Sequence, residues 1–403
     1  MDDVVERLAY HYRESGDRSR AVEFLIRAGD RLEEEHALDA AIDSFLQAID
    51  LVLKDPSPDR EQLLTLYARV GDLAYRTRDA EAIADRLEPA LELAESMGRD
   101  EYVARFAMMR GRLLNKASRF QEGKQWLERS AQVAKRRGDS ALQRDVALAA
   151  AEAHARNGEY VEVINYVEQA LALAKQTDDT QAQVRCLLIV APAYAATGQS
   201  EVAVSAMREV RDLMGENPDR LTECELYKTR ALVFHQVGDT EGMIESARRA
   251  LDLAREYGLH YEATVNAHNL GEFYLRLGED KRAFAALRSS YEIAMEHGFA
   301  RLQWLNVSLL GFLDAMRFDS EQGIKRMQQA IDHAEQRGYT WDLIGEKYLL
   351  SMVEQKRGRL EAARNGLRDV IRLADRHGHL RVCDDAEQGL RAMEEGKPIP
   401  LLR

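Results

Sequence analysis

Apolar and small residues recur along this chain at a fixed interval of 40, and inside each interval they fall at the spacing of helical faces. Eight intervals keep one phase, beginning at Leu64, Ala104, Arg144, Val184, Cys224, Thr264, Trp304 and Ile344. Their eighth position is always small: Gly71, Gly111, Ala151, Ala191, Ala231, Gly271, Gly311 and Ser351. Their twenty-fourth is Leu87, Leu127, Val167, Met207, Ala247, Leu287, Met327 and Leu367, and the thirty-first is alanine except at Met214. The last two columns lie seven apart, on one side of a helix, and that side faces the core. A small residue at a fixed point on every first helix lets a neighbouring helix approach closely.

Glycines punctuate the pattern. Gly158, Gly198, Gly238, Gly278 and Gly358 mark the turn inside a unit, while Arg78, Ser118 and Phe318 interrupt that column. Gly98, Gly138, Gly258, Gly298, Gly338 and Gly378 close the second helices, with Asp178 and Pro218 in the remaining places. Glycine tolerates the left-handed conformation that ends a helix. The spacing therefore predicts an all-α stack of helical hairpins: irregular hairpins over 1–54, eight regular units over 59–378, a capping helix over 379–395 and a tail over 396–403. Pro192 falls inside a predicted first helix, where a kink is expected.

Composition narrows the function classes. A 45% hydrophobic content supplies a continuous core, and seven prolines with 31% charged residues fit helices with solvated faces. The formal charge of −13 disfavours nucleic-acid partners. Cys186, Cys224 and Cys383 are too few and too scattered for a disulfide framework or zinc site. No apolar run is long enough to span a bilayer, and the acidic start is unlike a signal peptide, so a cytoplasmic chain is expected.

Unit by unit the chain resembles the tetratricopeptide repeat. The match is best over Leu270, Gly271, Tyr274, Gly278, Ala283, Leu287 and Ser290. The period of 40 and the missing closing proline depart from the usual repeat and are similar to the longer repeats of kinesin light chains and bacterial signalling proteins. The opening segment resembles the junction that follows the ATPase module in large bacterial regulators, which implies that Met1 can begin an excised arm. The resemblance implies a right-handed superhelix of about ten hairpins.

Phosphate-binding loops, metalloprotease motifs and nucleophile elbows are absent, so no enzymatic activity, cofactor or metal is expected. His377 and His379 form an H-x-H without a third ligand. The resemblance places the first helices on a concave face. Basic residues outnumber acidic ones at the implied positions, and Arg105, Arg112, Arg185, Lys228, His235, His268, Asn269 and Arg276 form the candidate site. The expected ligand is a protein or peptide with an acidic segment or C-terminal carboxylate, its backbone amide held by Asn269. Farther along, Leu309, Phe312, Met316, Tyr348 and Met352 make the groove apolar; the terminal helix covers them or an amphipathic partner docks there. A non-enzymatic interaction scaffold, the sensor or recruitment arm of a bacterial signalling protein, is the leading expectation. A small-molecule sensor and a self-association module giving a homo-oligomer are the alternatives.

Overall fold

A computed structural model describes residues 4–34, 37–74, 80–117, 119–156, 158–215, 218–337, 339–376 and 380–402. The described residues form helices and connecting turns, with no strand among them. In chain order the helices are α1 (Val4–Ser15), α2 (Arg18–Glu34), α3 (Leu38–Leu53), α4 (Arg60–Ala74), α5 (Ala80–Arg86), α6 (Glu88–Ser96), α7 (Asp100–Lys116), α8 (Phe120–Arg137) and α9 (Ser140–Arg156). They continue as α10 (Tyr160–Gln176), α11 (Thr180–Ala196), α12 (Ser200–Met214), α13 (Arg220–Val237), α14 (Thr240–Glu256), α15 (His260–Arg276) and α16 (Asp280–Glu296). The last are α17 (Ala300–Phe318), α18 (Glu321–Arg337), α19 (Thr340–Lys356), α20 (Leu360–Arg376) and α21 (Leu380–Glu394). Two compact units divide the chain, Met1–Ala153 and His154–Arg403.

Hairpins such as α2 with α3 and α7 with α8 in the first unit, and α13 with α14 and α15 with α16 in the second, recur along the chain, and the repeat columns explain how; α5 and α6 instead each pack on α7. A Cβ added at Gly271 would lie 2.6 Å from Leu287 Cγ, and one at Gly111 would lie 2.8 Å from Leu127 Cγ. In these two repeats the small eighth position of the first helix thus receives the apolar twenty-fourth position of its own second helix, whereas Gly71 faces Met109 of α7. At Gly311 the neighbour is backbone, with Gly323 O at 2.6 Å from an added Cβ. A buried serine repeats the logic in polar form: Ser290 Oγ donates to Thr264 O at 2.8 Å, and Ser130 Oγ donates to Ala104 O at 2.6 Å.

Helix ends follow their local chemistry. Asp179, Asp219 and Asp239 cap α11, α13 and α14 by accepting from the amides of Ala182, Thr222 and Gly242. Gly298 sits at φ +70° after α16. Asp178, which replaces glycine in the same column, adopts φ +50°, a region that aspartate tolerates better than most residues. Where Phe318 replaces the turn glycine, α17 runs two residues further than α15 does in its repeat, and Asp319 takes the left-handed position at φ +51°. Pro192 lies within α11, which continues to Ala196. Arg78, Ser118, Gly338, His377, Gly378 and His379 lie outside the described residues.

The second unit ends with two layers over its last hairpins. Val382, Ala386 and Met393 of α21 join Phe312, Tyr348, Met352 and Leu367 in one buried cluster, which also contains Ile399 at 3% exposed. Residues 397–402 follow α21 without helix or strand, and Pro398 and Pro400 favour an extended backbone there. That segment is docked on the protein.

Candidate functional site: the inner face of α13 to α21

In the second unit, α15, α17 and α19 present one face each to a common cavity of about 410 Å³. His268, Asn269 and Arg276 line it from α15, Arg301 and Leu305 from α17, and Asp342 and Glu346 from α19. Val382 of α21 and Leu401 and Leu402 of the C-terminal segment complete the wall. The eight-unit spacing brings these positions together because each first helix repeats the register of the one before it.

The C-terminal segment is held by side chains in the way an extended peptide would be. Gln355 Nε2 donates to Lys397 O at 2.7 Å, and Gln355 Oε1 accepts from Ile399 N at 2.7 Å. Tyr348 Oη donates to Pro400 O at 2.8 Å, and Arg276 donates to Leu402 O. One carboxamide satisfying a donor and an acceptor of the same strand is the chemistry expected of Asn269. Asn269 itself has no hydrogen-bond partner among the described residues and faces the cavity.

His268 is 9% exposed, and its Nδ1 lies 3.0 Å from Asn306 Oδ1. Asn306 Nδ2 donates to Ser290 Oγ at 2.8 Å and to Leu302 O at 2.7 Å, so Oδ1 is its accepting end. His268 therefore carries its proton on Nδ1, and the ring ties α15 to α17 while its other edge remains an acceptor. His235 packs on Phe273, with ring centroids 5.5 Å apart. Burial pushes its pKa down, and the charges of Arg276 and Arg381 push it down further. Arg381 also donates to Tyr160 Oη at 2.8 Å, which joins α21 to α10.

Other expected site residues are placed differently. Arg105 pairs with Asp72, and Arg112 pairs with Glu152 at 3.2 Å; all four belong to the first unit. Lys228 pairs with Glu225 at 2.5 Å, one turn back on α13. Arg185 is an exposed residue of α11. Arg69, counted among the inner cations, is bound by Asp30 and Glu33 at 2.6 Å each. The structure thus gathers His268, Asn269 and Arg276 at one cavity, sets His235 beside Arg276, and leaves Arg105, Arg112, Arg185 and Lys228 apart from it. Neutralisation across neighbouring helices removes much of the basic surplus that the sequence shows.

The apolar candidates are also covered. Leu309, Phe312, Tyr348 and Met352 are at most 8% exposed, and Met316 packs partly buried against the same cluster as Ile399. Of the two alternatives for this stretch, the structure has the covered one at Phe312, Tyr348 and Met352, which share a buried cluster with Val382, Ala386 and Met393 of α21 and with Ile399.

Sequence reading missed Gln355, Arg301, Asp342 and Glu346. Arg301 grips Asp342 through Nε and Nη2 at 2.7 and 2.8 Å. Glu346 is 4% exposed, and its Oε2 has no hydrogen-bond partner. Burial, and secondarily the charge of Asp342, raise its pKa to about 8. Asp342 and Glu346 are four apart on α19, a spacing that puts both on one face, but Asp342 precedes the repeat phase and Glu346 falls between the columns implied as contacts. Among the described residues no group of His, Cys, Asp and Glu is arranged to hold a metal, and no helix is long and apolar enough to cross a membrane.

No protein-family model and no curated protein matches the sequence. Solved structures do match in shape. A Rap protein complexed with competence and sporulation factor aligns with a TM-score of 0.59 at 15% identity, over 90% of this chain and 100% of the other. Aspartyl phosphate phosphatase F from Bacillus subtilis aligns at 0.55 and 13% identity, over 88% and 94%. The Rap conjugation gene regulator of plasmid pLS20, in complex with the Phr* peptide, aligns at 0.54 and 13% identity, over 89% and 96%. Helical hairpins of constant phase, the small-to-large packing at Gly111 and Gly271 and this likeness together make the chain an all-α solenoid of the tetratricopeptide-repeat type.

Proposed function

We propose that the chain is a non-enzymatic regulatory scaffold of a bacterial cytoplasm that binds an extended peptide along the inner face of α13 to α19. The observation that carries this reading is the docked segment 397–402, whose backbone is held by Gln355, Tyr348 and Arg276. Side chains that satisfy one extended strand will satisfy another of similar shape, since main-chain groups give affinity and flanking pockets give selectivity. The pLS20 regulator, in complex with the Phr* peptide, has the same fold and supports the choice of ligand class. The likeness to a phosphatase is one of fold, and fold does not carry chemistry.

An acidic side chain or carboxylate of the peptide is assigned to the cluster of His235, Arg276 and Arg381, where the two guanidinium charges already depress the imidazole pKa. Asn269, with its free carboxamide, holds a backbone amide beside it. Selection of a displayed peptide library on the immobilised chain tests this. The reading expects enriched sequences with an acidic residue or free C-terminal carboxylate, and loss of that enrichment on Arg276→Glu. Identical selections on both proteins would refute the anion site. A small-molecule sensor is the second reading, favoured by the cavity of about 410 Å³, a volume typical of compact ligands.

A further inference from the structure

We propose that the cavity between α15, α17 and α19 is a binding site for an organic cation, an ammonium or guanidinium on an apolar stem, received by the carboxylate of Glu346. This rests on the inner face being a ligand-binding surface, but it does not require the ligand to be a peptide.

Glu346 lines the cavity at 4% exposed, and its Oε2 has no hydrogen-bond partner. A buried carboxyl group without a partner carries a large desolvation cost, which a cationic ligand would offset. The neighbouring acid cannot serve the same purpose, because Asp342 is occupied by both arms of the Arg301 guanidinium. Leu305, Leu349, Leu401 and Leu402 give the cavity apolar walls beside the buried Glu346 carboxyl, while the second acid there without an ion pair among the described residues, Glu272, is only half-buried. Such a wall suits the methylene stem of a lysine or arginine side chain, or of a free alkylamine.

The charged groups around Glu346 set the direction of the pH dependence. α15 contributes His268, Glu272 and Arg276, α17 contributes Arg301, and α19 contributes Asp342, while α21 and the C-terminal segment contribute Val382, Leu401 and Leu402. Arg301 is held by Asp342, and Arg276 donates to Leu402 O, so neither pairs with Glu346. Without ligand the carboxyl titrates near pH 8. Cation binding stabilises the carboxylate, and its proton leaves to solvent. Affinity therefore rises with pH, about tenfold per unit below that value, and levels off above it.

The test uses the full chain with n-butylammonium, n-butylguanidinium and the neutral n-butanol as probes, read by melting temperature and calorimetry. The two cations are expected to raise the melting temperature and to release a proton on binding; n-butanol and the Glu346→Gln variant are expected to show neither effect. Equal stabilisation by n-butanol, an undiminished response of Glu346→Gln, or no response to either cation would overturn the site. Peptides selected on wild type and on Glu346→Gln identify the source. Lysine or arginine enrichment lost in the variant assigns a peptide side chain, and cation binding without enrichment assigns a free amine. Failure to select any peptide, with cation binding intact, would remove the peptide reading and leave this site standing.

Discussion

At the scale of single residues the fold depends on positions where a side chain has no room or a backbone has no choice. Gly298 has φ +70°, and replacing it with valine is expected to cost about 1–2 kcal/mol in chemical denaturation, because a β-branched residue is strained there. Glu346 acts in the opposite sense. Its folded pKa is raised to about 8, so the folded state binds the proton more tightly than the unfolded chain. Its contribution to stability is therefore complete below the unfolded carboxylate value and is lost as pH rises toward 8. Glu346→Gln is expected to be more stable than wild type at pH 8 by on the order of 2 kcal/mol, with the difference shrinking toward pH 5. Thermal melts of both proteins across that range check the sign, and a constant difference would show that the carboxyl is not buried without a partner.

Among elements, α15 and α17 are joined by a relay of buried polar groups running from His268 through Asn306 and Ser290 to Thr264 O. Asn306→Ala would strand both the His268 Nδ1–H and the Ser290 hydroxyl acceptor, and a loss of about 2–4 kcal/mol is expected in denaturant melts. Gln355→Ala should act more locally, since it releases both hydrogen bonds on residues 397–399 while leaving α19 intact. Faster hydrogen exchange at the Ile399 amide, with the α15 amides unchanged, is the expected result. The hairpins themselves were legible in the sequence because their determinants are local: Gly271 against Leu287 and Gly111 against Leu127 are contacts within one repeat, and the sequence shows that pair of columns eight times. The site was legible only in part. His268, Asn269 and Arg276 fall in separate columns of one repeated first helix, but the ion pairs that neutralise Arg69, Arg105 and Arg112 join helices roughly one repeat apart and leave no periodic mark. The same holds for the C-terminal segment. Ile399 meets Gln355 and Gly389 once in the molecule, so no spacing announced that 397–402 would lie on the inner face.

At the largest scale, hairpins of constant phase give each unit a series of equivalent first-helix surfaces, and the second unit departs from a uniform array where its surfaces are occupied. In the second unit the occupant is the chain's own extended segment, set against α15 and α19 and roofing a cavity that ends in an unpaired carboxyl group. Under the proposed function a ligand strand would compete with residues 397–402 for Gln355, Tyr348 and Arg276, which makes the segment a ready standard for the affinity of the face. The most direct measurement is a calorimetric titration of the synthetic hexapeptide with the sequence of Lys397–Leu402 into the chain ending at Gly396. Saturable one-to-one binding, weakened at least about tenfold by Gln355→Ala as expected for loss of two backbone hydrogen bonds, is the predicted result. Absence of binding to a truncated chain that keeps its helical content, or binding indifferent to Gln355→Ala, would contradict the assignment of the inner face as a peptide site.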